Sequence, residues 1–428
     1  MPLRLIKGYL MSGSITYIDP TAPSGGNGSL AHPLNDWRLI TPGSTQYLQK
    51  AGTTYHGVLY LGLQGSASSP IAIGSYGSGA APVVNGIVDV DANAKNIKIS
   101  GFSISSPNGA GVAIQNGSSN IELSGNTISN SLAGIWIGNS AGTGINIHDN
   151  IIHNSVGEGI GIDSTLASAS NPTIINHNTI DGSGSDGINV TTNYAMITNN
   201  TIFNNGLSVA GGAGIHLWGG DPVSGRGDFN TITGNVVYNN HDYVFLDGEG
   251  ILLDRNVSGN TVSNNLAVGN DSAGIAVYDS SNNTISNNTL IGNGTNFNAN
   301  HPIRAQLWLA DDNGMPQHNT FTNNVLIGTS PSTFGAFMDG GSQTGANKFS
   351  GNVIEDQAGL LFDINGVVGN ISAWNSLLGA SDRSSGVPLS APGSAPYNYT
   401  FPAHTTLPVD GATVQLTGWS STHGLFGT

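Results

Sequence analysis

The chain has 428 residues, 62 of them glycine, and a formal charge of −15 from 11 basic and 26 acidic side chains. A content of 38% hydrophobic and 9% charged residues excludes an intrinsically disordered chain, and the many glycines argue against a helical protein. Because basic residues are few and form no run, neither nucleic acid nor an anionic membrane is an expected partner.

Residues 1–90 lack the regular repeat found further along the chain. Two turn-rich stretches, 17–29 and 65–84, lie on either side of His32 and Trp37. Repeat proteins need an atypical terminal unit, so we predict an N-terminal cap that leads into the first repeats.

A repeat dominates residues 91–380. An asparagine stands two residues before an aliphatic residue nine times, at intervals of 24, 28, 22, 35, 30, 23, 36 and 28 residues. Periods of this length, rich in Gly, Thr, Ile and Val, predict a coil of three short strands and three turns, which we call a rung. The chain is therefore predicted to be all-β, a parallel β-helix. The repeated asparagines are Asn126, Asn150, Asn178, Asn200, Asn235, Asn265, Asn288, Asn324 and Asn352.

One rung illustrates the pattern. Ile275 and Val277 alternate with Ala276 and Tyr278, and alternation with period two indicates a strand with one buried face. The repeated asparagine is expected in a turn, since Asn tolerates the left-handed backbone. Its amide can donate to and accept from the same amide one rung away, about 4.8 Å along the axis, so the asparagines should form a ladder.

Aligning the rungs on this strand produces two outward-facing columns of side chains. Aromatic rings, a histidine and carboxylates share this face, which suits an extended polymer lying across the rungs. The first column is Ala113, Trp136, Gly161, Asn189, His216, Leu252, Ala276 and Trp308, and the second is Gln115, Gly138, Asp163, Thr191, Trp218, Asp254, Tyr278 and Ala310.

Three rungs are longer than the others, at 35, 30 and 36 residues. Their additional residues fall at 206–212, 219–228, 241–249, 295–304 and 311–317, around the strands that carry His216 and Asp254. Loops raised on a rigid scaffold are common places for binding and catalysis. The repeat is lost in residues 381–428, which are rich in Pro and Ser and are predicted to form a C-terminal cap or tail.

The N-terminal segments and the Gly-Ile and Asn-x-Ile rungs resemble the right-handed parallel β-helix proteins of the pectate-lyase-like superfamily. That resemblance implies a glycan bound along one sheet face, as in the superfamily's polysaccharide lyases, glycoside hydrolases, mannuronan epimerases and tailspikes. The polygalacturonase and mannuronan epimerase signatures are absent. The segment Asp247 to Asp254 resembles an Asp-Gly-x-Gly-(x)3-Asp motif of the group, which points to Asp247, Glu249 and Asp254.

Paired carboxylates would support glycoside hydrolysis, which needs two carboxyl groups about 5 to 5.5 Å apart for retention or about 6.5 to 9.5 Å apart for inversion. Asp254 lies on an outward column and is the expected first carboxylate, with Glu249 or Asp247 as its partner. Both partners share the inward parity of the strand, so their role requires a bend at Gly248 or Gly250.

Elimination on a uronate polymer is the alternative reaction. It needs a base and a group that neutralises the uronate carboxylate. His216 and Tyr278 are available as bases and Arg226 and Arg304 as cations. No cofactor is required for hydrolysis, whereas a calcium-dependent reaction would use Asp221 and Asp228.

The remaining candidates concern binding. His216 alternates with buried positions and is expected to face solvent, where it would orient or shuttle a proton. Substrate-binding residues are expected to be Trp136, Asp163, Trp218, Arg226, Tyr278, Arg304 and Trp308. A non-catalytic adhesin or phage tail protein would use the same aromatic face, but it would not need carboxylates clustered at the lengthened rungs.

We therefore predict an enzyme that degrades an extracellular polysaccharide, as a monomer or, like tailspikes, as a homotrimer. A secreted protein is expected, although no signal peptide is visible in residues 1–10. The absence of cysteine excludes disulfides and thiolate metal sites.

Overall fold

The computed structural model is a parallel β-solenoid of about 12 turns, which confirms the predicted fold class. It describes residues 14–138, 140–220, 225–243, 247–296, 305–312, 314, 316–328, 334–338, 346–355, 362–364 and 367–383, with the backbone of 398–399, 407–409 and 412–416. Three ladders of short strands run along the solenoid, and we number them sheets 1 to 3.

Sheet 1 carries the two outward columns. Its strands pair in parallel except for the last, which is antiparallel. They are Leu59–Tyr60, Val88–Val90, Val112–Ile114, Ile135–Ile137, Ile160–Ile162, Ile188–Val190, Ile215–Trp218, Ile251–Asp254, Ile275–Tyr278, Ala305–Ala310, Phe334–Met338, Phe362–Ile364 and Val367–Gly369.

Sheet 2 follows sheet 1 around each turn of the solenoid. Its strands are Ile15–Ile18, Gln46–Lys50, Ile71–Tyr76, Lys95–Ser100, Ser119–Ser124, Asn146–His148, Thr173–Asn176, Ala195–Thr198, Thr231–Thr233, Thr261–Ser263, Thr284–Ser286, Thr320–Thr322, Lys348–Glu355 and Ser381–Arg383.

Sheet 3 completes the turn. Its strands are Thr54–His56, Val83–Asn85, Ser103–Ser105, Thr127–Ser129, Ile151–His153, Thr179–Asp181, Thr201–Phe203, Val236–Tyr238, Leu266–Val268, Thr289–Ile291 and Val325–Ile327, and it ends on the long strand Lys348–Glu355, which also belongs to sheet 2.

The core is a stack of aliphatic side chains inside the coil. In the strands of sheet 1 from Val88–Val90 to Ile188–Val190 the first and third residues point inward, so Ile135 and Ile137 are buried while Trp136 between them is partly exposed. Burying such a side chain contributes roughly 1.5 to 3 kcal/mol, and the same inward positions recur in successive rungs.

The predicted asparagine ladder runs through the interior. Asn178 donates from its backbone N–H and its Nδ2 to Oδ1 of Asn200, at 2.9 and 3.0 Å, and Asn200 does the same to Asn235. The left-handed residue is the one before each ladder position, for example Asn199 with φ of 55°. The ladder asparagine itself does not have a positive φ, so the expected left-handed backbone belongs to its neighbour.

Two further ladders accompany the predicted one. The first runs from Asn230 through Asn260, Asn283 and Asn319 to Asn347. The second runs from Asn205 through Asn240, Asn270 and Asn293 to Gln306.

Each end of the described solenoid is closed by a tryptophan. At the N-terminal end Trp37, in the 3-10 turn Trp37–Leu39, donates from Nε1 to Gln49. At the other end the α-helix Ile371–Leu378 buries Trp374 against the last rungs. Short strands follow at Asn398–Tyr399, Leu407–Val409 and Ala412–Leu416. Within the described residues, no helix has the length and apolar character needed to span a membrane.

Candidate active site

Three neighbouring strands of sheet 1 build the candidate site. The parallel register places His216 between Asn189 and Leu252, and it places Trp218 beside Asp254, as the sequence alignment of the rungs predicts. His216 points away from the core and is nevertheless only 9% exposed. The centre of the outward face is thus less open than expected.

A small apolar cluster beside His216 contributes to its low exposure. Leu252 and Ala276, in the same column as His216, pack with Ala213 and Ala273 on the outer face, and Tyr278 and Trp308 lie against them.

His216 is held between two carboxylates. Its Nδ1 lies 3.3 Å from Oδ1 of Asp186, and its Nε2 forms a hydrogen bond of 3.3 Å with Oδ2 of Asp254. Asp186 is itself fixed, because it accepts from the backbone N–H of Ala213 and from Nδ2 of Asn189, both at 2.8 Å. The imidazole therefore has a defined orientation.

The two carboxylates also determine the charge of His216. Burial by itself would lower the pKa of this imidazole, but Asp186 and Asp254 outweigh it and raise the pKa well above the ordinary value. At neutral pH His216 is a cation, which donates rather than accepts protons.

Asp247 has a carboxyl group whose pKa is raised toward neutral pH. Burial raises its pKa to about 6; the cation of His216 opposes this rise, and the charges of Asp254 and Asp186 add to it. The bend required by the sequence is present at Gly248, whose φ is 93°. A side chain at Gly248 would also approach Cβ of Asp242 to 2.8 Å, so the turn that presents Asp247 needs glycine.

Glu249 has a different environment. It is 0% exposed, and its Oε1 accepts from Oγ of Ser272 at 2.8 Å. Burial, together with the charge of Asp247, raises the pKa of Glu249 well above the ordinary value. With no exposed surface, Glu249 does not touch a ligand in this conformation and lies behind Asp247.

The predicted aromatic residues divide into two groups. Trp218, beside Asp254, is 40% exposed. Tyr278 and Trp308, two and three rungs further, meet edge to face with ring centroids 6.0 Å apart. Trp136 lies three rungs before His216, about 14 Å along the axis, with its ring over the backbone of Gly138.

The predicted charged residues lie outside the cluster around His216. Nη1 of Arg226 is 3.7 Å from Oδ1 of Asp163, and both side chains are half exposed. Asp228 accepts from the backbone N–H of Ser258 at 2.7 Å and so supports a turn. Asp221 and Arg304 lie outside the described residues.

The described residues do not form an assembled metal site. Across the described ranges, no three His, Cys, Asp or Glu side chains are arranged to hold a metal ion.

Asp186 is the site residue that sequence reasoning missed. It occupies the position before the Gly-Ile pair found at the start of several sheet 1 strands, and other rungs have alanine at this position. The sequence does contain a signal for Asp186: an acidic residue stands at a position where other rungs have alanine. The residues in this column are Ala110, Ala133, Glu158, Asp186, Ala213, Glu249 and Ala273.

Residues 85–245 and 166–376 match the family model described as the right handed beta helix region. Together the two matches span more than half of the chain. This chain belongs to the right-handed β-helix family. No curated protein matches this β-helix protein.

Solved structures with the same fold were also found. The A-module of the mannuronan C-5 epimerase AlgE6 from Azotobacter vinelandii is 16% identical, with 79% of this chain and 89% of that chain covered and a TM-score of 0.52. The AlgE4 A-module from the same organism is also 16% identical, with 81% and 91% covered and a TM-score of 0.50. A lacto-N-biosidase of family GH136 from Eubacterium ramulus is 15% identical, with 82% and 68% covered and a TM-score of 0.47. At 16% identity the likeness to the two epimerase modules shows the fold alone.

Proposed function

We propose that this β-helix protein is a secreted carbohydrate-active enzyme that hydrolyses glycosidic linkages of a polysaccharide lying across sheet 1. The observation that carries the proposal is Asp247, a carboxyl group with a pKa of about 6, next to the Asp186–His216–Asp254 network. The two epimerase modules that share this fold act on mannuronan, and we propose a polysaccharide ligand here as well.

Asp247 is proposed as the general acid. A carboxyl group with a pKa near 6 keeps its proton in weakly acidic solution and can deliver it to the leaving glycosidic oxygen. Asp254 would be the second carboxylate, which activates water or attacks the sugar. His216 donates to Asp254 and fixes its orientation, and Asp186 holds His216 from the other side.

Hydrolysis fits these groups better than elimination. Proton abstraction from a uronate needs a base, and a cationic His216 has no free lone pair to accept a proton. Tyr278 is no better, because burial and the neighbouring Asp312 raise the pKa of its hydroxyl above the ordinary range.

The exposed rings would form sugar subsites on either side of the acid pair. Trp218 lies directly beside Asp254, and Tyr278 and Trp308 lie on the following rungs, so a chain stacked on them would run along the solenoid axis. Arg226 and Asp163 would contact polar groups at the edge of the same face. Neither proton transfer involves a metal, so we propose activity without added calcium.

A glycan panel read in two ways tests the proposal. New reducing ends measure cleavage, and ultraviolet absorbance detects the unsaturated uronate that only elimination produces. We expect reducing ends without absorbance from the wild type, and a loss of about 100-fold or more in Asp254→Asn. Asp149→Asn, an exposed carboxylate on a turn away from sheet 1, is the matched control and should keep full activity.

Three outcomes would contradict the proposal. Absorbance at the product would establish elimination, full activity in Asp254→Asn would remove the assigned site, and binding without any product would favour an adhesin.

A further inference from the structure

The outer face of sheet 2 carries a groove that is separate from the candidate active site. It has a volume of about 380 Å³, in the size range of small-ligand sites. Its floor is formed by Asn96 and Lys98 on one strand and by Asn120 and Glu122 on the next, and the turn at 67–70 forms a wall. We call this set the sheet 2 groove.

An interrupted row of amides lines one side of the groove. Nδ2 of Asn96 donates to the backbone oxygen of Gly65 at 2.9 Å, and Nδ2 of Asn120 donates to Oδ1 of Asn96 at 3.2 Å. The row stops at Gly144 in the next rung, where an added Cβ would lie 2.3 Å from Oδ1 of Asn120. Oδ1 of Asn120 therefore lies close against the backbone of Gly144, in a place where only glycine fits.

This row differs from the three buried ladders, in which each asparagine Oδ1 accepts from the rung before. Among the described residues, no donor forms a hydrogen bond with Oδ1 of Asn120.

The charges of the groove nearly cancel. Nζ of Lys98 lies 2.6 Å from Oε2 of Glu122, and Nε2 of His148 lies 3.7 Å from the other oxygen of the same carboxylate. A strongly charged ligand would have to break this pair. A neutral ligand with many hydroxyl groups would instead find amide donors, an ammonium group and carboxylate and amide acceptors side by side.

We propose that the sheet 2 groove binds a segment of neutral polysaccharide. The groove lies on the sheet next to sheet 1 and about four rungs, roughly 19 Å along the axis, before His216. Binding there would hold a long chain near the candidate active site and raise its local concentration. It does not depend on the catalytic roles of Asp247 and Asp254.

Affinity electrophoresis tests this proposal. The full chain is run in native gels that contain xyloglucan, mixed-linkage β-glucan, galactomannan or dextran, with polygalacturonate as a charged comparison. We expect at least one neutral polymer to retard the wild type, and the double variant Lys98→Ala/Glu122→Ala to bind it about tenfold more weakly, since two polar contacts are lost. The double variant leaves the net charge unchanged.

The matched control is Ser100→Ala/Ser124→Ala, which alters the next outward pair on the same two strands. It should be retarded like the wild type. The same comparison in an Asp254→Asn background should show the same tenfold difference, so a failure of the proposed hydrolysis would not affect this result. Equal retardation of wild type and Lys98→Ala/Glu122→Ala, retardation by polygalacturonate alone, or no retardation by any polymer would overturn the proposal.

Discussion

Replacing Asp247 by asparagine should remove activity and stabilise the protein at the same time. The folded pKa of Asp247 is about 6 against an ordinary value of 3.8, so the folded state holds this proton more tightly than the unfolded chain does. As the pH rises from about 4 through 6, the wild type must ionise a buried carboxyl group and loses stability. Asparagine does not ionise, so the variant escapes this loss.

The size of the effect follows from the pKa difference. About two pKa units correspond to roughly 3 kcal/mol in the free energy of unfolding. The wild type loses this stability in full above pH 7 and loses none of it near pH 3. With an unfolding entropy of about 2.1 cal/mol/K per residue, a solenoid of this size should unfold about 4 °C higher as the variant than as the wild type at pH 8.

Thermal unfolding of wild type and Asp247→Asn at pH 3.5, 6 and 8 measures this difference. The same preparations are assayed for reducing ends, where we expect a loss of 100-fold or more in the variant. Asp149→Asn, which replaces an exposed carboxylate, is the control for the change of charge. A gap between wild type and Asp247→Asn that is equal at pH 3.5 and pH 8 would refute the reasoning.

Two further predictions concern the ladder and the histidine. Asn200→Ala should lower the free energy of unfolding, measured in urea, by about 3 to 6 kcal/mol, because the buried carbonyl of Ile175 and two neighbouring amides lose their hydrogen-bond partner. A loss below 1 kcal/mol would contradict the stabilising role of the ladder. Asp186→Asn should lower the pKa of His216, since it removes one of the two flanking carboxylates, and an imidazole NMR titration that is unchanged would show that Asp254 alone sets the charge.

The rungs could be predicted from the sequence because their cause is local and repeated. The interval between ladder asparagines fixes the length of a rung, and the alternation around Ile275 fixes which side chains face outward. Once the rungs are aligned, the pairing of Trp218 with Asp254 follows. The lengthened rungs carry His216, Asp247 and Asp254, whereas Asp186, which holds His216 from the other side, precedes them.

The surroundings of the outward residues could not be predicted in the same way. The alternation of side chains along the strand predicts that His216 points away from the core, but its 9% exposure depends on the residues that pack around it from other rungs. Glu249 lies one residue before the Gly-Ile pair, and its full burial arises where its turn meets Ser272 of the next rung. Such contacts join residues more than 20 positions apart and leave no period in the sequence.

The main asparagine ladder ends on an aspartate. Asn352 donates its backbone N–H and its Nδ2 to Oδ1 of Asp382, at 2.8 and 3.0 Å, and Nε1 of Trp374 donates to the other oxygen at 2.9 Å. A carboxylate accepts but has no amide to pass on, so no further rung can join the row at that position. The chain thus carries its own termination signal, and a designer who wished to lengthen the solenoid would have to begin with Asp382→Asn and displace the helix that carries Trp374.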